Sequence, residues 1–166
     1  MKLYHATPKE NAESILKRGI DNRRRTFIHG GQRTKALRQF IDKRGSGTAK
    51  TEDAIFFFLS EQLEEVQQNY AEYCVFSVNA SELNSYYLVA FNHAIAVLID
   101  DLWQAGNCEE AIAWADVYWK TAIDLQSYMQ QQEAVSQLSL ERMNLPFVPE
   151  VLYFGNSIPA EKIKLL

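Results

Sequence analysis

The hydrophobic pattern at the start of the chain predicts a strand followed by a helix. Residues 3–6 are apolar and aromatic, which is typical of a short strand. They stop at residues 7–10, Thr-Pro-Lys-Glu, where a threonine and a glutamate three positions later resemble a capping box. Apolar residues then recur at helical spacing as far as Gly19, a residue suited to end a helix. We therefore expect a helix over residues 8–18.

The middle of the chain contains continuous or alternating apolar runs that predict strands. Residues 54–60 form an unbroken apolar run, as in a strand buried on both faces. Residues 73–79 and 86–91 are rich in aromatic and branched side chains and predict two further strands. Apolar positions at spacings of three and four predict helices over 34–43 and 61–71.

After residue 92 the periodicity becomes helical over a long stretch, residues 92–145, which we call the helical block. Its apolar positions predict two long helices, at about 93–105 and 108–139. Two prolines close the block. Short strands are then expected at 150–154 and 162–166.

Charge is divided unevenly along the chain. Residues 1–50 carry 13 basic and 4 acidic side chains, a net charge of +9, whereas the remaining residues carry 4 basic and 17 acidic ones, a net charge of −13. The overall charge of −4 hides this division. Such asymmetry indicates an anionic partner at the basic end.

Composition and motifs exclude several classes of protein. With 47% hydrophobic residues, 4 prolines and 7 glycines in 166 residues, the chain is a globular protein and one domain is expected. Its 2 cysteines are too far apart for a thiolate zinc site, and its 3 histidines lack the spacing of metal ligands. No apolar run is long enough to cross a membrane and no signal-peptide core follows Met1, so we expect a cytoplasmic protein.

Two residues stand out as candidates for chemistry. Glu150 opens the apolar strand near the end of the chain, and His5 lies in the first strand. A carboxylate in a buried strand costs free energy unless it is hydrogen-bonded or serves a function. Glu150 at a solvated strand edge is the alternative, and the residues alone leave both open.

Three segments resemble the motifs of the ADP-ribosyltransferase superfamily. The opening LYHATPKENAESILKRGI resembles the first motif, in which a strand ending in His-(Gly/Ala)-Thr leads into a helix. The run AIFFFLS is similar to the second motif, G-(I/V)-Y-F-x-x-S, and PEVLYFGNSIPAEKIKLL is similar to the third, in which a catalytic glutamate opens a strand. The resemblance implies one α+β domain over residues 1–166. In it a split mixed or antiparallel β-sheet surrounds an NAD cleft, with flanking helices and residues 92–145 as a helical insertion.

The resemblance also implies roles for individual residues. Glu150 would hold the 2′-hydroxyl of the nicotinamide ribose and face the positive charge that grows on the sugar as nicotinamide leaves. His5 would hydrogen-bond a hydroxyl of the adenosine ribose. Thr7 and the neighbouring backbone of Ala6 would shape the nicotinamide side. Glu150 and His5 are thus the expected catalytic residues.

Further contacts to NAD follow from the second motif and from the basic stretch. Phe56 falls at the position of the family's tyrosine, whose ring stacks on nicotinamide, so that stacking is kept and the hydroxyl is lost. Ser60 falls on the motif's serine, either as a contact to NAD or only as a cap of the next helix. In a toxin group that modifies DNA bases, arginines follow a similar opening. Arg23, Arg24 and Arg25 would then approach the NAD pyrophosphate or a nucleic-acid phosphate.

The resemblance implies an NAD-dependent ADP-ribosyltransferase that modifies a nucleic acid or a protein. Its expected role is that of a bacterial toxin or defence effector, for which an antitoxin is a candidate partner. NAD is its co-substrate and no metal is expected. Arginine-directed members carry a second acid two residues before the glutamate, and Val148 stands there, which disfavours an arginine acceptor. Two alternatives remain open. One is an RNA 2′-phosphotransferase, which shares the fold and uses NAD. The other is a catalytically degenerate module that binds NAD, nucleic acid or a partner protein.

Overall fold

The computed structural model describes residues 1–21, 32–45, 47–69 and 72–166. These residues form an α+β fold in which the strand pairs are antiparallel. The strands are β1 Lys2–Pro8, β2 Ile20–Asp21, β3 Ile55–Phe57, β4 Tyr73–Asn79, β5 Leu88–Asn92, β6 Ile123–Asp124, β7 Pro149–Tyr153, β8 Ser157–Ile158 and β9 Ile163–Leu165. The α-helices are α1 Ala12–Arg18, α2 Gln32–Asp42, α3 Leu63–Asn69, α4 His93–Gln104, α5 Cys108–Lys120 and α6 Leu125–Met143. Within the described ranges, no helix is long and apolar enough to span a bilayer.

In the described part of the chain, the strands form two larger sheets and one small one. Their strand orders are β1-β4-β9, β3-β7-β5-β6 and β2-β8. The two larger sheets meet where Tyr4 and Phe58 exchange backbone hydrogen bonds of 3.1 and 2.9 Å. Beyond this bridge β1 and β3 separate, and a cleft opens between them.

Both faces of the four-stranded sheet are covered. The side chains of β7 alternate in direction, so successive residues of this strand pack in different cores. Val151 and Tyr153 belong to a core shared with the three-stranded sheet. Leu152, on the opposite face, packs in a second core built by α2, α4 and α5. Glu150 follows the same alternation as Leu152, so its side chain points towards those helices.

The helix predicted over residues 8–18 begins later, at Ala12. Pro8 continues β1 opposite Tyr73, and the amide of Lys9 donates to the carbonyl of Glu72 at 3.1 Å, so pairing with β4 extends the strand through the expected helix start. Thr7 stays in the strand and caps nothing; the helix is preceded by a single 3-10 turn. The expected helix end at Gly19 is confirmed, with a φ of 84°.

The other predicted elements are largely confirmed. The strand over 73–79 is found with those bounds. The helix expected at 34–43 is α2, and the one expected at 61–71 is the shorter α3. The strands expected at 54–60, 86–91, 150–154 and 162–166 are β3, β5, β7 and β9, each shifted or shortened by a few residues.

The prediction of one helix over 108–139 is wrong, because α5 and α6 are separate helices. The Thr121 hydroxyl donates to the carbonyl of Tyr118 at 2.7 Å and accepts from the amide of Asn92 at 3.2 Å, which ends α5. Ile123 and Asp124 then pair with β5. The Asp124 carboxylate accepts from the amide of Ser127 at 2.9 Å and starts α6.

Candidate active site

A cleft of about 530 Å³ brings together the three segments that resemble the family motifs. It lies between β1 and α1 on one side and β3 and the start of β7 on the other. Five of the predicted site residues line it: His5, Ala6, Thr7, Phe56 and Glu150. Its volume is within the range of small-molecule and cofactor sites.

Glu150 forms the centre of a buried hydrogen-bond network at the wall of this cleft. The residue is only 7% exposed. Arg38 donates to it through both terminal nitrogens, from Nη1 to Oε1 and from Nη2 to Oε2, each at 2.9 Å. The solvated strand edge that the sequence left open is thus excluded, since this carboxylate is buried and ion-paired.

Two side chains of the helical block complete the network. The Tyr118 hydroxyl donates to Oε1 of Glu150 at 2.6 Å and accepts from Nη1 of Arg38 at 3.0 Å. His93 Nδ1 lies 3.0 Å from Oε2. Because an ionised carboxylate only accepts, this nitrogen carries the proton. Arg38, Tyr118 and His93 therefore hold both oxygens of Glu150.

The network keeps Glu150 ionised. Burial by itself disfavours its charged form, but the charge of Arg38 and the hydrogen bonds from His93 and Arg38 outweigh burial and hold the pKa of Glu150 far below its ordinary value. The same charge pairing outweighs the effect of burial on Arg38 and raises the pKa of its guanidinium. Burial, with the adjacent carboxylate, raises the pKa of Tyr118 well above its usual value, so its hydroxyl stays a donor.

Arg38 reaches the site from the buried face of α2, where Leu37 and Ile41 lie in the helical core. Its Cζ stands 4.6 Å from the centre of the Phe56 ring, a cation–π arrangement. Its Nε is buried and has no hydrogen-bond partner among the residues that the structure describes. Phe56, one of the predicted site residues, thus carries the Arg38 guanidinium on its ring.

The His5 ring is held by a hydrogen bond to β3, the strand from which β1 separates at the cleft. Its Nδ1 lies 2.9 Å from the carbonyl oxygen of Phe56. Since a carbonyl accepts, Nδ1 donates and Nε2 is left as an acceptor. Burial of the ring lowers the pKa of His5 despite the opposing effect of that hydrogen bond. The Nε2 atom of a neutral imidazole can accept a hydrogen bond from a ligand hydroxyl, as expected for a contact to ribose.

The remaining predicted site residues differ in placement. Thr7 is buried, and its hydroxyl accepts from Nδ2 of Asn11 at 3.1 Å, so it shapes the cleft wall. Ser60 is exposed in a 3-10 turn and is not among the residues lining the cleft; its side chain does not cap that turn. Arg23, Arg24 and Arg25 lie outside the described residues.

Sequence reasoning missed Arg38, Tyr118 and His93 as site residues. A signal existed for Arg38, because it lies between Leu37 and Ile41 on the apolar face of a predicted helix, where a cation needs a partner. Tyr118 resembles any core aromatic of an amphipathic helix. His93 follows a strand without a motif, so only the structure brings it to Glu150.

Comparison with known proteins adds no relative. No family model, curated protein or solved structure matches the chain. The case for a function therefore rests on the geometry of this cleft.

Proposed function

We propose that the chain is an NAD-dependent ADP-ribosyltransferase, with the ADP-ribosyltransferase-like split sheet around an NAD cleft. The observation that carries the proposal is the convergence of Glu150, His5 and Phe56 on one cleft. These residues come from three distant segments, each similar to a different motif of the superfamily, and they line the cleft together.

The charge state of Glu150 suits the reaction. As the bond between nicotinamide and ribose C1′ breaks, nicotinamide leaves with the bonding electron pair and positive charge grows on the sugar. A carboxylate that is already ionised and held in place stabilises this charge without reorganising. Glycoside cleavage uses carboxylates against a similar oxocarbenium-like state. The acceptor's nucleophilic atom then bonds to C1′ and loses its proton.

The rest of the cleft suits the other parts of NAD. His5 offers an unprotonated Nε2 to a hydroxyl of the adenosine ribose, since Nδ1 donates to the Phe56 carbonyl. The half-buried Phe56 ring and the small residue Ala6 make part of the cleft apolar, as an aromatic base requires. Arg23, Arg24 and Arg25 remain the proposed contacts to phosphate, whereas Ser60 is exposed and does not line the cleft, so we do not propose it as a contact.

The acceptor class is a nucleic acid or a protein. Thirteen of the 17 basic side chains fall within residues 1–50, the segment that also supplies His5 and Arg38. A polyanionic acceptor suits this end of the chain electrostatically. A role as a bacterial toxin or defence effector, acting inside the cell and restrained by an antitoxin, belongs to the same proposal.

The test is incubation of the protein with NAD labelled in its adenosine, together with DNA, RNA or protein fractions. Free nicotinamide is quantified and each fraction is analysed by mass spectrometry. We expect nicotinamide release together with a fraction that gains an ADP-ribose group. Saturable NAD binding without nicotinamide release would instead identify a binding module, and loss of phosphate from an RNA 2′-phosphate would identify a phosphotransferase.

A further inference from the structure

The Glu150 carboxylate has no free acceptor position in the unliganded site. An ionised carboxylate offers about four lone-pair positions. Arg38 takes two of them, and Tyr118 and His93 take one each. A ribose hydroxyl can therefore bind Glu150 only by displacing one of these donors.

The donors differ sharply in how easily they can be displaced. The Arg38 side chain is 6% exposed, and Tyr118 is 0% exposed. The His93 side chain is 47% exposed and lines the cleft. A ligand entering from the cleft would meet His93, and rotation of this half-exposed ring would free one position on Oε2.

Tyr118 is held more firmly than a single hydrogen bond would hold it. Its ring stacks on Phe91 with centroids 4.8 Å apart and planes 11° from parallel. Phe91 lies directly opposite Glu150 in the register of β5 and β7. The Tyr118 ring thus packs against Phe91, the cross-strand neighbour of Glu150, while the Tyr118 hydroxyl contacts the Glu150 carboxylate.

Helix α5 is also fixed to helix α2, which carries Arg38. Trp119 Nε1 donates to the carbonyl of Ile41 at 2.9 Å, next to Tyr118 in sequence. Arg44 and Asp116 form two further hydrogen bonds of 2.9 Å between the segment after α2 and α5. The helical block therefore sets the distance between the Tyr118 hydroxyl and the guanidinium.

We propose that Tyr118 is a positioning residue, whose hydroxyl fixes the Glu150 carboxylate so that only the position held by His93 is open to a ribose hydroxyl. Tyr118 is not among the lining residues of the cleft in the part of the chain that is described, so it acts through Glu150 and Arg38 rather than on NAD. The inference rests on the proposed function, and it gives the helical block a role in the site.

The experiment compares Tyr118→Phe with Tyr128→Phe, which removes a hydroxyl from another buried tyrosine of the helical block that stacks on Phe147 away from the cleft. We expect Tyr118→Phe to lower kcat for nicotinamide release about ten- to hundredfold, because the variant loses a hydrogen bond to the charged group that it orients. KM for NAD should stay within about twofold, because the orientation matters most where charge develops. Tyr128→Phe should leave both constants unchanged.

Side-chain nitrogen NMR of Arg38 in the unliganded protein provides a readout that needs no activity. Rotation of the Arg38 guanidinium should be faster in Tyr118→Phe than in the wild-type protein and Tyr128→Phe. Equal kcat values in the wild-type protein and Tyr118→Phe would overturn the inference, as would equal losses in the two variants. If the wild-type protein releases no nicotinamide, the proposed function fails. The NMR comparison then decides the role of Tyr118: unchanged rotation contradicts it, and faster rotation supports it.

Discussion

Arg38 and Glu150, which are 112 positions apart, form a bidentate ion pair in which both nitrogen–oxygen distances are 2.9 Å. Both side chains are buried, at 6% and 9% exposure. The pair joins α2 to β7 at the wall of the cleft. It thereby couples the stability of the fold to the charge on the proposed catalytic carboxylate.

We expect single substitutions in this pair to destabilise the protein strongly. Arg38→Met leaves a buried carboxylate without its cation, and Glu150→Leu leaves a buried guanidinium without its anion, each costing about 3–5 kcal/mol. The double variant should cost less than either single variant, because no unpaired charge remains. Urea unfolding at neutral pH gives the three free energies of unfolding. Additive losses in the double variant would show that the two residues do not interact.

The same pair predicts a loss of stability in acid. The pKa of Glu150 is depressed in the folded protein, so the folded state favours the ionised form. This contribution is fully present above the unfolded value of about 4.3 and is lost as the pH falls towards the folded value. The free energy of unfolding of the wild-type protein should therefore fall between about pH 5 and pH 2.

The double variant Arg38→Met/Glu150→Leu is the control for this pH dependence. It lacks the titrating carboxylate but keeps every other acidic residue, so its free energy of unfolding should fall less over the same pH range. Parallel curves for the two proteins would contradict the assigned pKa of Glu150. Thermal or urea unfolding in a series of buffers is sufficient for this comparison.

His5 should titrate below the ordinary histidine value of about 6.5, because burial of its ring lowers its pKa. NMR of the imidazole protons over pH 4–8, about two units to either side of that value, measures it directly. A short peptide with the sequence Tyr-His-Ala is the matched reference. Since the neutral ring is favoured in the folded state, His5 contributes stability above the unfolded pKa, and this is lost as the pH falls. A pKa equal to or above that of the peptide would contradict the placement of the ring.

Gly19 should tolerate substitution less well than Gly106, although both have positive φ, of 84° and 79°. A Cβ at Gly19 would collide with the carbonyl oxygen of Ile158, whereas a Cβ at Gly106 would meet no atom of the described residues within 4 Å. Gly106→Ala therefore costs backbone strain of about 1 kcal/mol, and Gly19→Ala costs that strain and the displacement of β8. Free energies of unfolding from urea curves test the difference, and equal losses would contradict it.

Local patterns predicted most of the helices and strands. The predictions that failed did so because long-range contacts override the local pattern. The helix after β1 starts late because Pro8 pairs with Tyr73 of β4 and the Lys9 amide donates to Glu72 just before that strand, contacts that local capping signals do not contain. The helical block is divided at Thr121 because its hydroxyl bonds to Asn92 on a distant strand. Such partners become visible only when the strands are assembled.

The candidate site, too, could be predicted from local patterns only in part, and long-range contacts determine the rest. Glu150 and His5 could be predicted, since each stands out chemically in its own segment and in a motif. Arg38 lies on the apolar face of a predicted helix, but it was missed because it belongs to a basic stretch where a solvated side chain is the usual outcome. Tyr118 was hidden in the apolar face of a helix. The roles of Arg38 and Tyr118 arise from their contacts with Glu150, which the local patterns around each residue do not specify.

The most direct test of the account is nicotinamide release from NAD by the wild-type protein and by Glu150→Gln, with Glu161→Gln as an exposed control in the same terminal segment. Each variant is first shown to be folded by circular dichroism. We expect release by the wild-type protein and by Glu161→Gln, and a loss of about 10²–10³-fold or more in Glu150→Gln. Equal rates in the wild-type protein and Glu150→Gln, or no release by the wild-type protein with any acceptor fraction, would contradict the account.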